Sequence, residues 1–332
     1  MKRTALLTAI AAATALPVAA QAQSNVKLSG LIDVGVTSSK APGGTQLSTV
    51  DSGNMSTSWF GISGSEDLGS GVTASFSVEQ FMRSDSGQSG RFTGDGQFSR
   101  GATVGLKSAR LGGVSAGRNT TPLFVSTLVF NAFGDSFGFS PSIRHYFISG
   151  TVTGDTGWND SLQYSSPNFG GLSANVIHAV SEGGHGPNWG GNVMYFAGPL
   201  ALTYAAQSVL KDNSPTSTVD NTKTWQLGGS YDLGMAKLFA QIGSVSNETT
   251  GKTYKISGVG AKVPFGQAAI LAQWGAIGAD EATGVAGRHT FSLGYDRPLS
   301  QRTDVYGVLM SDSLDNVDVK GSAVSVGVRH RF

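Results

Sequence analysis

The sequence predicts an all-β protein, a sixteen-stranded antiparallel transmembrane β-barrel with a long third loop folded inward. Apolar and polar residues alternate with a period of two along sixteen segments. The breaks between segments are short and long by turns. The segments are half polar, yet only 14% of the 332 residues are charged, against roughly 25% in an ordinary soluble domain. A soluble β-sandwich is the alternative. It would bury its apolar faces in a core and carry more charge outside, whereas a membrane demands that the sheet close on itself.

Composition removes several classes of function. With no cysteine there is no disulfide framework, thiolate metal site or cysteine nucleophile. Lys and Arg number 23 and Asp and Glu 22, a net charge of +1 that leaves no footprint for nucleic acid. His145, His178, His185, His289 and His330 have no metal-ligand spacing.

Residues 1–22 read as an export signal. Lys2 and Arg3 precede the apolar run Ala5 to Ala20, and Ala20-Gln21-Ala22 supplies a cleavage site, so residues 23–332 form the mature barrel. Strand starts fall near residues 26, 55, 71, 99, 113, 158, 172, 190, 200, 223, 236, 253, 267, 288, 302 and 322. In the first strand Val26, Leu28, Ile32, Val34 and Val36 oppose Lys27, Ser29 and Asp33; later, Trp225, Leu227 and Tyr231 oppose Thr224, Gln226 and Ser230. Ten residues at ~3.4 Å each, tilted by about 45°, span roughly 24 Å, close to the ~25 Å apolar band of an outer-membrane barrel. Tight breaks such as Ala197-Gly198-Pro199 and Asp232-Leu233-Gly234 mark one rim, and longer polar ones the other. A closure this wide leaves an aqueous lumen. Strand glycines such as Gly228, Gly229, Gly258 and Gly260 relieve crowding at the wall. Trp59, Trp158, Trp189 and Trp225 suit an aromatic girdle, with a pore role open for Trp59.

The break at about 119–157 departs from the others. It carries Phe124, Phe130, Phe133, Phe137 and Phe139 among further apolar residues, a composition unsuited to a loop in water. It therefore folds inward against the wall, bringing Asp135 and Arg144 to the narrowest section.

Several stretches resemble the Gram-negative porins of the β-proteobacterial type. They are Val26-Lys27-Leu28-Ser29-Gly30-Leu31-Ile32-Asp33, Phe60-Gly61-Ile62-Ser63-Gly64-Ser65-Glu66-Asp67-Leu68-Gly69, Val104-Gly105-Leu106, Gly117-Arg118, Tyr164-Ser165-Ser166-Pro167-Asn168-Phe169-Gly170-Gly171, Leu299-Ser300-Gln301-Arg302-Thr303 and the ending Val326-Gly327-Val328-Arg329-His330-Arg331-Phe332. The resemblance implies a homotrimer in the outer membrane, among lipid and lipopolysaccharide, passing small hydrophilic solutes and ions. It also implies that the terminal Phe332 is the signal read by the barrel-insertion machinery, and that wall arginines face the inward loop. Arg100 and Arg118 match two of those basic positions, with Asp135 as the loop acid. Arg83 and Glu79 on the polar parity of the third strand, and Lys107 on that of the fourth, join the candidate constriction.

This chain departs from the family at Trp59, where many relatives have arginine, and at Gly157-Trp158, where some have another. Strong anion selectivity is thereby put in question. Strict alternation from Val104 and Val114 places Arg100 and Arg118 on the lipid parity, and a bulge or a strand end is needed to turn each inward. Arg118, where the strand runs into the long loop, is the preferred member. The alternative function is a substrate- or anion-specific channel of the same barrel type. No enzyme is expected: Gly134-Asp135-Ser136 has no following Asp-x-x-His partner. No cofactor is expected either, beyond a divalent cation on the external acids Asp51, Asp85, Asp95, Asp212, Asp220, Asp280, Glu281, Asp312 and Asp315.

Overall fold

The computed structural model describes residues 25–181, 186–210 and 219–332; the proposed signal at 1–22, His185 and Asp212 lie outside them. Eighteen strand segments form one closed antiparallel sheet. They are β1 (Asn25–Lys40), β2 (Leu47–Ser52), β3 (Trp59–Asp67), β4 (Val72–Arg83), β5 (Gln88–Ser89), β6 (Gly101–Ser108), β7 (Gly112–Thr120), β8 (Gly157–Ser165), β9 (Leu172–Ala179), β10 (Asn188–Ala197), β11 (Leu200–Val209), β12 (Thr222–Asp232), β13 (Lys237–Asn247), β14 (Thr253–Phe265), β15 (Ala268–Gly278), β16 (Arg288–Pro298), β17 (Thr303–Leu314) and β18 (Gly321–Arg331). β2 and β3 pair with successive halves of β1 and share one stave, and β5 is a two-residue flap on β4, so the barrel has sixteen staves. β18 pairs with β1 from Leu31↔Arg331 to Lys40↔Ser322. Beside that seam Gly30 and Phe332 exchange both backbone hydrogen bonds at 3.1 Å, which leaves the ladder no open edge.

The barrel is inside-out, as an aqueous lumen in lipid requires. On β12, Thr224, Gln226 and Ser230 are 3%, 0% and 5% exposed, while Trp225, Leu227 and Tyr231 are 41%, 46% and 46% exposed. Two irregularities break the alternation. The second stave does not start at 55. After Ser52 the chain detours into the lumen and resumes at Trp59. The detour is held by Asp33, whose carboxylate accepts the Met55 and Ser56 amides at 2.8 and 2.7 Å and the Tyr306 hydroxyl at 2.7 Å. Ser58 supplies the ladder bonds that the detour removes, accepting from the Asp33 amide and donating to its carbonyl. At the second irregularity, Gly117 pairs with Ser161 and Asn119 with Trp158, so Asn159 and Asp160 of β8 face Arg118 alone. This is a β-bulge, with Gly117 at φ +121° and Asp160 at φ +54°.

The long connection between β7 and β8 enters the barrel. Thr121 caps helix α1 (Pro122–Val129), accepting the Phe124 amide with its side chain. A short helix α2 (Pro141–Ile143) runs into a π-helical turn at Arg144–Ile148. Lumen-facing amides of the wall capture the loop. Asn192 donates to the Pro122 carbonyl, Gln241 to those of Thr127 and Phe130, and Gln273 to Ser142 Oγ. Wall glycines leave the room it needs. A Cβ on Gly275 would stand 2.9 Å from Pro141 Cβ, one on Gly294 2.9 Å from Phe133, and one on Gly228 3.1 Å from Phe130 Cβ. Gly258 and Gly260 likewise face Ser142 and Ala132 of the loop, whereas Gly229 faces outward, beside Leu202.

Candidate functional site: the lumen constriction

The inward loop packs on the inner faces of β10 to β17, and among the described residues a passage lies between it and the wall at β3, β4, β6 and β7. The loop's far tip crosses to the β2–β3 detour. There Ser136 Oγ and the Gly138 amide donate to the Asn54 carbonyl at 2.7 and 3.1 Å, and Ser56 Oγ donates to Asp135 Oδ1 at 2.9 Å. The passage is a cavity of about 440 Å³. Its wall side is lined by Thr57, Glu79, Phe81, Arg100 and Thr120; its loop side includes Phe124, Val125, Leu128, Asp135 and Phe137.

Glu79 projects from the lumen parity of β4. Arg100 stands just before β6 begins, so the lipid parity of that strand does not bind it. It turns inward, places Nε 2.8 Å from Glu79 Oε2, and lays its guanidinium 4.2 Å from the centre of the Trp59 ring. Trp59 thus lies on the lumen side beneath an arginine rather than in the girdle.

Arg118 is placed elsewhere. It pairs with Ala102, on the outward parity of Val104, and the bulge leaves it at the rim of the wall. Its Nε donates to the Ser99 carbonyl at 2.6 Å, Nη1 to Asn159 at 2.8 Å and Nη2 to Asp155 at 2.5 Å. Arg91 grips the same Asp155 carboxylate with two bonds of 2.7 Å and holds Asp95 as well. Burial works to raise the pKa of Asp155, but the hydrogen bonds and charge of Arg91, with the charge of Arg118, prevail and bring it down to about 2. This clasp joins the 91–99 segment to the root of β8 and lines a separate cavity of about 720 Å³.

Arg144 also lies outside the passage. It donates to the Gly138 carbonyl and shares the Asp312 carboxylate with Arg288. Thr290 spends its hydroxyl proton on Asp312, so it accepts from His145 Nε2, which makes His145 the neutral Nε2–H tautomer. Burial, reinforced by the charge of Arg288, lowers the His145 pKa to about 3. Arg83 donates to the Ser89 carbonyl above the passage, and Lys107 sits near the opposite end of β6. Asp95 and Asp312 are engaged by arginines rather than free for a cation. Trp158 is 1% exposed and packs inside, whereas Trp189 and Trp225 face outward.

Sequence reasoning missed the lumen pairs of β16 to β18. Arg329 donates to Asp304 at 2.6 Å and to Asp296 at 2.5 Å, and its Nη1 reaches Ser56 Oγ at 3.2 Å. The signal was available, because Phe291, Leu309 and Val326 fix the outward parity of those staves and place Asp296, Asp304 and Arg329 within.

The family model for Gram-negative porins matches residues 7–317. An outer membrane porin protein 32 of Delftia acidovorans is 30% identical, and an outer membrane porin protein of Bordetella pertussis 28%, each over the whole of both chains. Among solved structures, an anion-selective porin from Comamonas acidovorans superposes with a TM-score of 0.78 at 26% identity, covering 93% of this chain and all of its own. With the closed barrel, the polar lumen and the inward loop, these matches establish that the chain belongs to the Gram-negative porins and forms a water-filled channel in the outer membrane.

Proposed function

We propose that this chain is a passive, non-enzymatic diffusion channel whose narrowest section is the passage between the inward loop and the β3–β7 wall, with Arg100, Glu79 and Asp135 as its charged lining and Trp59 supporting Arg100. The observation carrying this reading is the loop tip bonded across the lumen to Asn54 and Ser56, which sets the passage between the loop and the β3–β7 wall. Arg83 and Lys107 act before and after it rather than in it.

A general solute range follows from the pairing of the arginines. Arg100 is answered by Glu79, Arg329 by Asp296 and Asp304, and Arg144 and Arg288 together by Asp312. Short-range pairing weakens the field that a charge projects into water. The anion selectivity named for the Comamonas relative is therefore not expected here. In a planar bilayer under a KCl gradient, a reversal potential near zero or of weakly cationic sign supports this reading, and one of strongly anionic sign overturns it.

The homotrimer belongs to the same proposal. All outward-facing Trp and Tyr residues, among them Tyr164, Trp189, Tyr204, Trp225, Trp274 and Tyr295, stand on β8 to β16. β17, β18 and β1 to β7 present mainly Val, Leu, Ile, Phe, Ala and Gly outward, with Gln80 and Met82 on the same face of β4, an arc without aromatic interfacial anchors that suits other copies of the chain. Residues 1–22 act as the export signal, Phe332 as the signal for barrel insertion, and lipopolysaccharide as neighbour to the outer loops. Any divalent cation falls to external acids other than Asp95 and Asp312, with calcium-dependent thermal stability as its test.

A further inference from the structure

We infer that the constriction is a selective slot for small aromatic monocations of the arylalkylammonium class. This deepens the channel reading above and rests on it.

The reasoning begins with helix α1. Leu123, Ser126 and Thr127 are buried against the wall, and Phe124, Val125 and Leu128 on the other side line the open passage. A helix apolar on both sides belongs in a core, yet this one turns Phe124 and Leu128 toward the channel, with Val125 at the edge and packed partly on Phe130, Met194 and Ala201. Phe137 of the loop tip extends the surface, its ring 5.7 Å from that of Phe124, and Phe147 braces Phe124 edge-on at 5.3 Å. Phe81 stands on the opposite wall. Phe81 is 8% exposed and has the Arg91 and Arg100 guanidiniums 5.0 and 5.6 Å from its ring centre, so the open aromatic faces are those of Phe124 and Phe137 on the loop side. Water gains little by staying against them, so an apolar ring displaces it readily.

Charge complementarity sets the sign of the occupant. Three ionisable side chains line the slot, Arg100, Glu79 and Asp135. Arg100 and Glu79 neutralise each other at 2.8 Å, and Trp59 covers one face of the guanidinium. Among the described residues Asp135 has no ion pair; its bond from Ser56 satisfies one lone pair of a carboxylate that can accept several. One negative charge is left over beside rings whose faces attract cations. An ammonium group toward Asp135 with a phenyl ring against Phe124 and Phe137 uses both features. An aromatic carboxylate meets the uncompensated acid, and an aliphatic ammonium forgoes the ring contacts.

The experiment is ion-current block in a planar bilayer with the full-length mature channel in symmetric KCl. Phenethylammonium, n-hexylammonium and phenylacetate are added in turn. The expected result is transient closures by phenethylammonium with dwell times about 3- to 10-fold longer than those of the other two, the range that one aromatic contact supplies. Asp135→Asn should cut the block several-fold, and a Phe124→Ser, Phe137→Ser double variant should bring phenethylammonium down to hexylammonium. Equal block by phenethylammonium and hexylammonium overturns the aromatic selectivity, and longer block by phenylacetate overturns the sign. KCl current with no block by any probe removes the slot and leaves the channel standing, whereas folded protein with no KCl current removes both. The wild-type comparison and Asp135→Asn decide the matter if the double variant fails to fold.

Discussion

Asp155 holds two arginines from different parts of the chain at once, Arg91 at 2.7 Å and Arg118 at 2.5 Å, at the point where the wall bulges. Its folded pKa of about 2 lies below the ~3.9 of an unfolded aspartate. The clasp is therefore at full strength above about pH 4 and is lost as pH falls through about 2. Asp155→Asn leaves two arginines without their shared counter-charge and should cost about 3 kcal/mol locally. Limited proteolysis should show the 91–99 segment protected in the wild type from pH 7 down to about 3, and cut rapidly in the variant at pH 7. Arg100 and Arg118 also show where reading single residues from sequence stops. A one-residue slip moves a side chain to the other face of a strand. The end of β6 rescues Arg100 for the lumen, and the bulge at Gly117 leaves Arg118 outside it; neither event has a local signature strong enough to choose between them.

Among elements, the inward loop was legible and its seat was not. Six phenylalanines in one break predict that it packs on something. The partners are Asn192, Gln241, Gln273 and the glycines at 228, 275 and 294, spread over five staves, and such long-range pairing has no sequence periodicity. The π-helical turn after α2 ties this seat to pH. With a folded pKa of about 3 against about 6.5 unfolded, His145 favours the docked loop when neutral. Docking is strongest above pH 6.5 and weakens as pH falls toward 3, because the undocked state binds the proton more readily. Single-channel recordings should therefore show rising open-state noise between pH 6.5 and 4. His145→Gln, which keeps an amide donor for Thr290, should flatten that dependence.

At the scale of the molecule, sixteen staves were legible because lipid outside and water inside enforce the same period over the whole chain. The exception at the second stave comes from Asp33, whose buried carboxylate recruits two backbone amides and pulls six residues inward. The arc without Trp or Tyr makes a further prediction. Val104→Glu on β6 should lower the fraction of oligomer surviving in detergent by at least several-fold while the monomeric barrel still folds, as read by native gel and heat-shifted mobility. Leu227→Glu, on the girdled face, should leave the oligomer intact and slow insertion into liposomes, since a charge facing lipid is costly. The central claim is that current passes only between α1 and the opposite wall. The chain has no cysteine, so Leu128→Cys places a single thiol in the passage and Leu123→Cys a single thiol on the buried side of the same helix. A bulky thiol reagent added during recording should reduce the current sharply through Leu128→Cys and leave Leu123→Cys unchanged. Undiminished current through a fully modified Leu128→Cys channel would contradict the account.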